Sequence, residues 1–248
     1  MADAFPPLAA CALRLGDDAL ILGQRLSEWC GHAPAIEVDL SLANVALDQI
    51  GQATHLLGLA GEIEGKGRDA DKLAFHRDVM DFTNCLLVEQ PNGDFAQTIA
   101  RQFLFSHYQE VLYAALAAST DARFAAIAQK AVKEVAYHAA LASDWVIRLG
   151  DGTEESRARM IAGLDWMWRF ADELFEMDEI DAAMGIDKAA LRPAWDARID
   201  AVLADAALER PAARRPVLGG RNGRHSEHLG HLLSEMQFLQ RAYPGATW

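Results

Sequence analysis

Apolar residues recur every third or fourth position along most of the chain, which is the spacing of an amphipathic helix. The most regular run covers residues 124–149 and ends at a Gly-Asp-Gly sequence. Residues 36–63 carry two apolar stripes, so we expect that helix to be largely buried. No segment alternates apolar and polar residues between hairpin signals, and the pattern therefore predicts an all-α protein.

Two further long helices complete a predicted set of four. One follows the seam Leu15, Ala19, Leu22, Leu26 and Trp29 and should end at residues 31–34, which contain glycine and proline. The other begins after Asp94, a plausible N-cap, and runs to about residue 118. Four such helices predict a four-helix bundle of the ferritin-like class, with additional C-terminal helices from the seams at 161–175, 195–206 and 229–239.

Length and composition predict one domain over residues 1–248, with residues 1–10 as a flexible N-terminal tail. A chain of 248 residues that is 51% hydrophobic can bury a large single core. The three cysteines, Cys11, Cys30 and Cys85, form an odd set without C-x-x-C spacing. We therefore expect neither a disulfide framework nor a cysteine-rich zinc site, and a reducing cytosol.

Charge and hydropathy argue against nucleic-acid and membrane partners. The formal net charge of −13 would repel phosphate backbones and anionic lipid. The N-terminus lacks the pattern of a signal peptide, and no apolar run reaches the roughly 18 residues of a membrane span. These features predict a cytoplasmic protein. The segment 209–224 is irregular and locally basic, so we expect an exposed loop or a partner contact there.

Ferritin-like bundles suggest where chemistry could lie. In their di-iron members, two core helices each supply a Glu-x-x-His pair and the other two each supply a carboxylate. Residues three apart share a helix face, so the carboxylate and the imidazole reach the same metal ions. The corresponding positions here hold few ligands, and we interpret them as a degenerate former di-iron site: Glu28, Gln49, Gln52, Ser106, Val135 and His138.

The replacements remove most of the expected ligand chemistry. Valine cannot bind metal, neutral amides are poor iron ligands, and a serine hydroxyl does not replace a carboxylate. Gln49 and Gln52 are expected to hydrogen-bond each other, His138 or Glu28, because an unpaired buried amide costs about 1–3 kcal/mol. The sequence therefore predicts no catalytic residue, no cofactor and no metal in this chain.

Other interpretations stay open from the sequence. The chain could be an atypical iron oxygenase that uses Glu28, Glu110, Glu134 and His138. It could bind acyl-CoA through a basic loop of Arg214, Arg215, Arg221 and Arg224. His225, His228 and His231 are favoured as solvated or hydrogen-bonding histidines over a surface metal site. Candidates for a partner surface are Trp166, Trp168 and Trp248, although core packing is the favoured interpretation.

Several long segments resemble a known family. They are GQRLSEWCGHAPAIEVDLSLANVALDQIGQA, LLVEQPNGDFAQTIARQFLF, KEVAYH, WMWRFADELFEMDEID and HSEHLGHLLSEMQFLQRAYPG. In these segments, and nearly end to end, the chain resembles the C-subunit family of 1,2-phenylacetyl-CoA epoxidase, the phenylacetate ring monooxygenase complex.

The resemblance implies a role in aerobic phenylacetate degradation. That complex is a multicomponent bacterial monooxygenase that uses dioxygen and NADPH, and its A subunit holds the di-iron centre. The C-subunit family consists of related ferritin-like chains without a working metal site, which pair with the A subunit and support its structure. The implied partners are the A subunit and the other components of the complex, and self-association stays open.

Overall fold

The protein is described by a computed structural model that covers residues 5–212 and 214–246. Every regular element in these residues is a helix, which confirms the predicted all-α fold class and is consistent with a ferritin-like bundle. The helices divide between two compact units. The first unit comprises Met1–Gln90 and Gly219–Trp248, and the second comprises Pro91–Leu218. The single domain predicted over residues 1–248 stays a prediction.

The first unit is built on an antiparallel helix pair, α1 (Pro7–Ser27) and α2 (Ile36–Glu64). The two helices approach closely at glycines of α1. A Cβ on Gly16 would lie 2.8 Å from Leu57, and one on Gly23 would lie 3.0 Å from Ile50. A larger residue at either glycine would push the two helices apart, so this packing depends on both glycines.

Shorter elements cover that helix pair. They are α3 (Ala70–Phe75), a 3-10 turn (Val79–Asp81), α4 (Leu86–Glu89), a second 3-10 turn (Gly220–Asn222), α10 (Glu227–Met236) and α11 (Phe238–Ala242). The second 3-10 turn can form because its glycines allow close approach and unusual backbone angles. A Cβ on Gly220 would lie 2.4 Å from the carbonyl oxygen of Asn84, and Gly223 has a φ of 71°.

The second unit is built on another antiparallel pair, α5 (Phe95–Leu116) and α6 (Ala122–Gly150). The side chain of Asp94 caps α5 by accepting from the backbone N of Gln97 at 2.9 Å, which confirms the predicted N-cap. Packed on this pair are α7 (Glu154–Trp168), a 3-10 turn (Asp172–Phe175), α8 (Glu179–Ala183) and α9 (Lys188–Asp205).

The buried Trp195 of α9 joins that helix to α5. Its indole Nε1 donates to the carbonyl oxygen of Leu104 at 3.0 Å. Trp168 lies against Trp195 with ring centroids 5.8 Å apart, so it packs inside the second unit. Trp166 is 38% exposed, and Trp248 lies outside the described residues.

The structure corrects two expectations about burial and order near the ends of the chain. Residues 7–10, predicted as part of a flexible tail, belong to α1, and Ala9 is fully buried. The segment 209–224 is exposed over its first part but not throughout, because Gly219, Gly220, Arg221 and Gly223 are buried.

The largest correction concerns α2. One of its two apolar stripes is buried, but the N-terminal half of the other faces solvent: Ile36 is 76%, Leu40 60% and Leu47 66% exposed. The expectation of a largely buried helix is therefore wrong for this face. Periodicity identifies an apolar face but does not specify what covers it.

No helix among the described residues combines the length and the apolar character needed to cross a membrane.

Candidate functional site

The residues predicted to replace metal ligands are mostly buried. In the first unit, Gln49 is fully buried and Gln52 is 4% exposed, and both project from the same face of α2. In the second unit, Ser106, Val135 and His138 are all fully buried. All five residues are therefore buried within their own unit, as helical periodicity predicts, and their interpretation as former metal-ligand positions stays a prediction.

Glu28 is the exception among the predicted positions. It is the C-cap residue of α1, and its side chain is 40% exposed. Its Oε1 accepts from Nη1 of Arg25 at 2.8 Å. A carboxylate at a solvated helix end does not occupy the core position that a bundle ligand needs.

The donor set at these positions does not fit a di-iron centre. In the first unit, Gln49 and Gln52 supply two carboxamides, and the carboxylate of Glu28 is 40% exposed. In the second unit, Ser106 and His138 supply one hydroxyl and one imidazole, and Val135 supplies no ligand atom. Di-iron bundles use four carboxylates and two histidines. Within the described residues, no three His, Cys, Asp or Glu side chains form a group that could hold a metal ion. That the chain binds no metal stays a prediction.

The carboxylates of the alternative oxygenase site have other contacts. Glu110 Oε2 lies 2.9 Å from Nδ1 of His107 and 3.6 Å from Nε of Arg198. Glu134 Oε1 lies 3.9 Å from Nζ of Lys130.

Ser106 forms its hydrogen bond within α5 rather than with an acid. Its Oγ accepts from Nε2 of Gln102 at 2.7 Å. At the next residue, Nε2 of His107 lies 3.0 Å from Oγ of Ser143, which joins α5 to α6. Ser143 also donates to the carbonyl oxygen of Ala139 at 2.7 Å, as buried mid-helix serines do. These contacts are those of a polar helix interface.

The first unit contains a buried ionic network that the sequence reasoning missed. Asp17 pairs with Arg77, and Asp18 pairs with Arg221, with all four side chains at most 5% exposed. Arg221 donates through Nη1 to Oδ1 of Asp18 at 2.9 Å and through Nη2 to Oδ2 at 2.7 Å. This bidentate geometry is the strongest form of the arginine–carboxylate pair.

Backbone groups complete the hydrogen bonding of both aspartates. Asp17 Oδ2 accepts from the backbone N of Thr83 at 2.9 Å and from its Oγ1 at 3.1 Å. Asp18 Oδ1 accepts from the backbone N of Cys85 at 2.7 Å. The guanidinium of Arg77 also lies over the ring of Phe82, 4.1 Å from its centroid. These hydrogen bonds therefore hold residues 83–85, which precede α4, against α1.

Glu89, the last residue of α4, is the centre of a second group of hydrogen bonds, and its side chain is fully buried. Its Oε2 accepts from Nδ2 of Asn84 at 2.9 Å, and its Oε1 accepts from the backbone N of Ser226 at 2.6 Å. Its backbone carbonyl accepts from Nη2 of Arg25 at 2.9 Å. Glu89 thus connects α1, α4 and the start of α10.

His225 lies between two oxygen acceptors. Nδ1 lies 2.7 Å from Oε2 of Glu89, and Nε2 lies 2.8 Å from the carbonyl oxygen of Phe82. Because a carboxylate and a carbonyl oxygen are both acceptors, this arrangement favours the protonated ring, in which both nitrogens donate. Burial lowers the pKa of His225, but the hydrogen bond and charge of Glu89 and the Phe82 carbonyl raise it by more, so the pKa lies above its ordinary value.

These contacts bear on two of the open interpretations. Both ring nitrogens of His225 lie within hydrogen-bond distance of oxygen acceptors, as the hydrogen-bonding interpretation expects for this residue. Arg221 is turned inward to Asp18, and Nη2 of Arg214 lies 2.5 Å from Oδ2 of Asp165. The predicted basic loop therefore loses Arg221 as an anion contact.

The sequence did contain signals for this network. Two adjacent aspartates interrupt residues 15–22, which are otherwise apolar or glycine, and residues 219–223 contain three glycines. Adjacent carboxylates in a helix that is buried all round require cationic partners.

Comparison with known proteins identifies the family of this chain. The model of the family described as "Phenylacetic acid catabolic protein" matches residues 2–248. The chain belongs to this family. It is also 48% identical, over 246 residues, to the C subunit of 1,2-phenylacetyl-CoA epoxidase of Escherichia coli (strain K12), and the match covers 97% of this chain and 99% of the relative. The resemblance to that family, noted above from the quoted segments, is confirmed.

Proposed function

We propose that this chain is the non-catalytic structural subunit of a multicomponent 1,2-phenylacetyl-CoA epoxidase. In this proposal it pairs with the di-iron catalytic A subunit in the cytoplasm and supports aerobic phenylacetate degradation, with dioxygen and NADPH consumed elsewhere in the complex. The observation that carries the proposal is the donor set: the buried positions hold Gln49, Gln52, Ser106, Val135 and His138. The similarity to the C subunit of such an epoxidase supports membership of the complex.

The proposed mechanism is indirect. A helical subunit that keeps its own helices in place can present a fixed face to a related subunit and hold that partner's helices at ligand-competent geometry. The buried pairs of Asp17 with Arg77 and of Asp18 with Arg221 serve this role, because they join distant segments of the first unit without a metal ion.

Metal analysis tests the absence of an iron site. We expect the chain, purified alone after expression in iron-supplemented medium, to contain well below one iron per chain by mass spectrometry. The physical reason is that the predicted ligand positions of neither unit supply the buried carboxylates that balance the charge of two iron ions.

A His138→Gln variant prepared in parallel separates bound from adventitious iron. Trace iron that is equal in both preparations is adventitious. Close to two irons per chain in the wild type, lost in the variant, would show that this chain is itself an iron protein.

A further inference from the structure

The exposed half of α2 carries a row of large aliphatic side chains. Ile36, Leu40 and Leu47 are 76%, 60% and 66% exposed, and we call these three residues the α2 stripe. Spacings of four and seven residues place all three on one side of the helix. They span about 16 Å of helix axis, at roughly 1.5 Å per residue.

The α2 stripe differs from ordinary surface apolar residues. Single exposed leucines are common on soluble proteins, but a contiguous row marks an interaction surface. The opposite face of the same helix is buried: Leu42, Val45 and Leu56 are at most 2% exposed. The helix is therefore held in place by its buried face and presents the stripe from a rigid support.

The charged residues beside the α2 stripe indicate which kind of partner it can bind. The sequence of α2 contains several acidic residues and no lysine or arginine. Glu37 and Asp48 lie on one flank of the stripe, about a quarter of a turn away, and Asp39 lies on the other flank. A second copy of this chain that offered the same stripe would bring acidic flanks together, which is unfavourable. A helix with basic flanks would instead complement both sides.

We propose that the α2 stripe is the docking site for an amphipathic helix of a different subunit, whose apolar face is flanked by lysine or arginine. The proposal rests on the proposed function, because that function requires a heterologous partner. The stripe supplies the apolar anchor of the interface, and the acidic flanks set its register and exclude self-pairing.

The test is association with the di-iron subunit of the complex. The variant Leu40→Ser/Leu47→Ser and the wild-type chain are each titrated against that subunit by sedimentation velocity. We expect the dissociation constant to rise at least about 30-fold, the size expected when an interface loses central apolar anchors. Both leucines are exposed, so the variant should keep the helical circular dichroism and thermal midpoint of the wild type.

Ile161→Ser/Phe238→Ser is the matched control. It removes two apolar side chains that are 49% and 61% exposed but lie on α7 and α11. We expect this control to bind as the wild type does. Glu37→Lys should weaken association and reduce its dependence on salt, because it reverses one flank of the stripe.

The possible failures are distinguishable. If the wild type binds the di-iron subunit and the α2 variant binds equally well, the docking proposal is wrong and the proposed function stands. If the wild type does not bind at all, the proposed function fails and the docking proposal fails with it. If the chain alone forms a dimer that the α2 variant abolishes, the occupant is a second copy and the proposal is overturned.

Discussion

Replacing Arg221 with methionine is expected to lower the free energy of unfolding by about 3–5 kcal/mol, which is the usual cost of leaving one member of a buried ion pair without its partner. Arg221 and Asp18 are 5% and 3% exposed. Without the guanidinium, the Asp18 carboxylate would stay buried, with the backbone N of Cys85 still donating to it. Urea unfolding at neutral pH, followed by circular dichroism, measures the difference.

Arg214→Met is the control for this prediction. Arg214 also pairs with an aspartate, Asp165, but the two side chains are 48% and 35% exposed. A solvated pair contributes at most about 1 kcal/mol, so we expect little change. Adding Asp18→Leu to Arg221→Met should recover part of the loss, because it removes the unpaired charge. Equal destabilisation by Arg221→Met and Arg214→Met would contradict the prediction that the buried pair contributes more to stability than the exposed one.

Replacing Glu89 with leucine is expected to cost a similar amount, about 3–5 kcal/mol near pH 6, and also to change the dependence of stability on pH. The change removes the carboxylate that accepts from His225, Asn84 and the backbone N of Ser226. The imidazolium would lose its counter-charge in a buried position. Urea unfolding of wild type and variant across pH 6 to pH 9 measures both effects.

The sign of the pH effect follows from the raised pKa of His225. Below the ordinary histidine pKa of about 6.5, the ring is protonated in both folded and unfolded chains, and the pair contributes fully. As the pH rises through the higher folded-state pKa, that contribution is lost. The free energy of unfolding of the wild type should therefore decrease over this pH interval. In His225→Gln, the part of this decrease that comes from the pair with Glu89 should be absent. The exposed His231→Gln should keep the wild-type slope, and equal slopes in all three proteins would contradict the assignment.

Several helix boundaries were predictable because local signals mark them, but α1 ends at Ser27 and not at the predicted residues 31–34. Residues 36–63 were expected to be helical, and α2 runs from Ile36 to Glu64, between Pro34 and a left-handed Gly65. Asp94 and the Gly-Asp-Gly sequence after α6 acted in the same way. Caps and breakers operate within a few residues, so a single sequence contains them.

The adjacent aspartates of α1 indicate buried cationic partners, but local signals do not identify which arginines pair with them. Asp18 and Arg221 are 203 residues apart in the chain. Many arginines could pair with a given aspartate, and only the fold selects one. The segment containing Arg221 was interpreted as an exposed basic loop because its composition is typical of loops, and its glycines in fact allow close approach to residues 80–84.

The candidate site was predictable in part. The inward direction of Gln49, Ser106 and His138 followed from helical periodicity, because a ligand position and a core position lie on the same face. The sequence left the burial of Glu28 open, because this residue shares a helix face with Ile21 and not with the Leu22 and Leu26 stripe, and the structure places it at the C-cap of α1. The exposed α2 stripe was expected to be buried, because helical periodicity does not distinguish an exposed apolar face from a buried one.

The measurement that tests the central claim most directly is epoxidation of phenylacetyl-CoA by the di-iron subunit with and without this chain, with the remaining components supplied. The account predicts no turnover by this chain without the di-iron subunit. It predicts that the di-iron subunit without this chain loses at least about 100-fold in turnover, the effect expected from misplacing reacting groups by about 1 Å. Full turnover by the di-iron subunit without this chain would contradict the structural role.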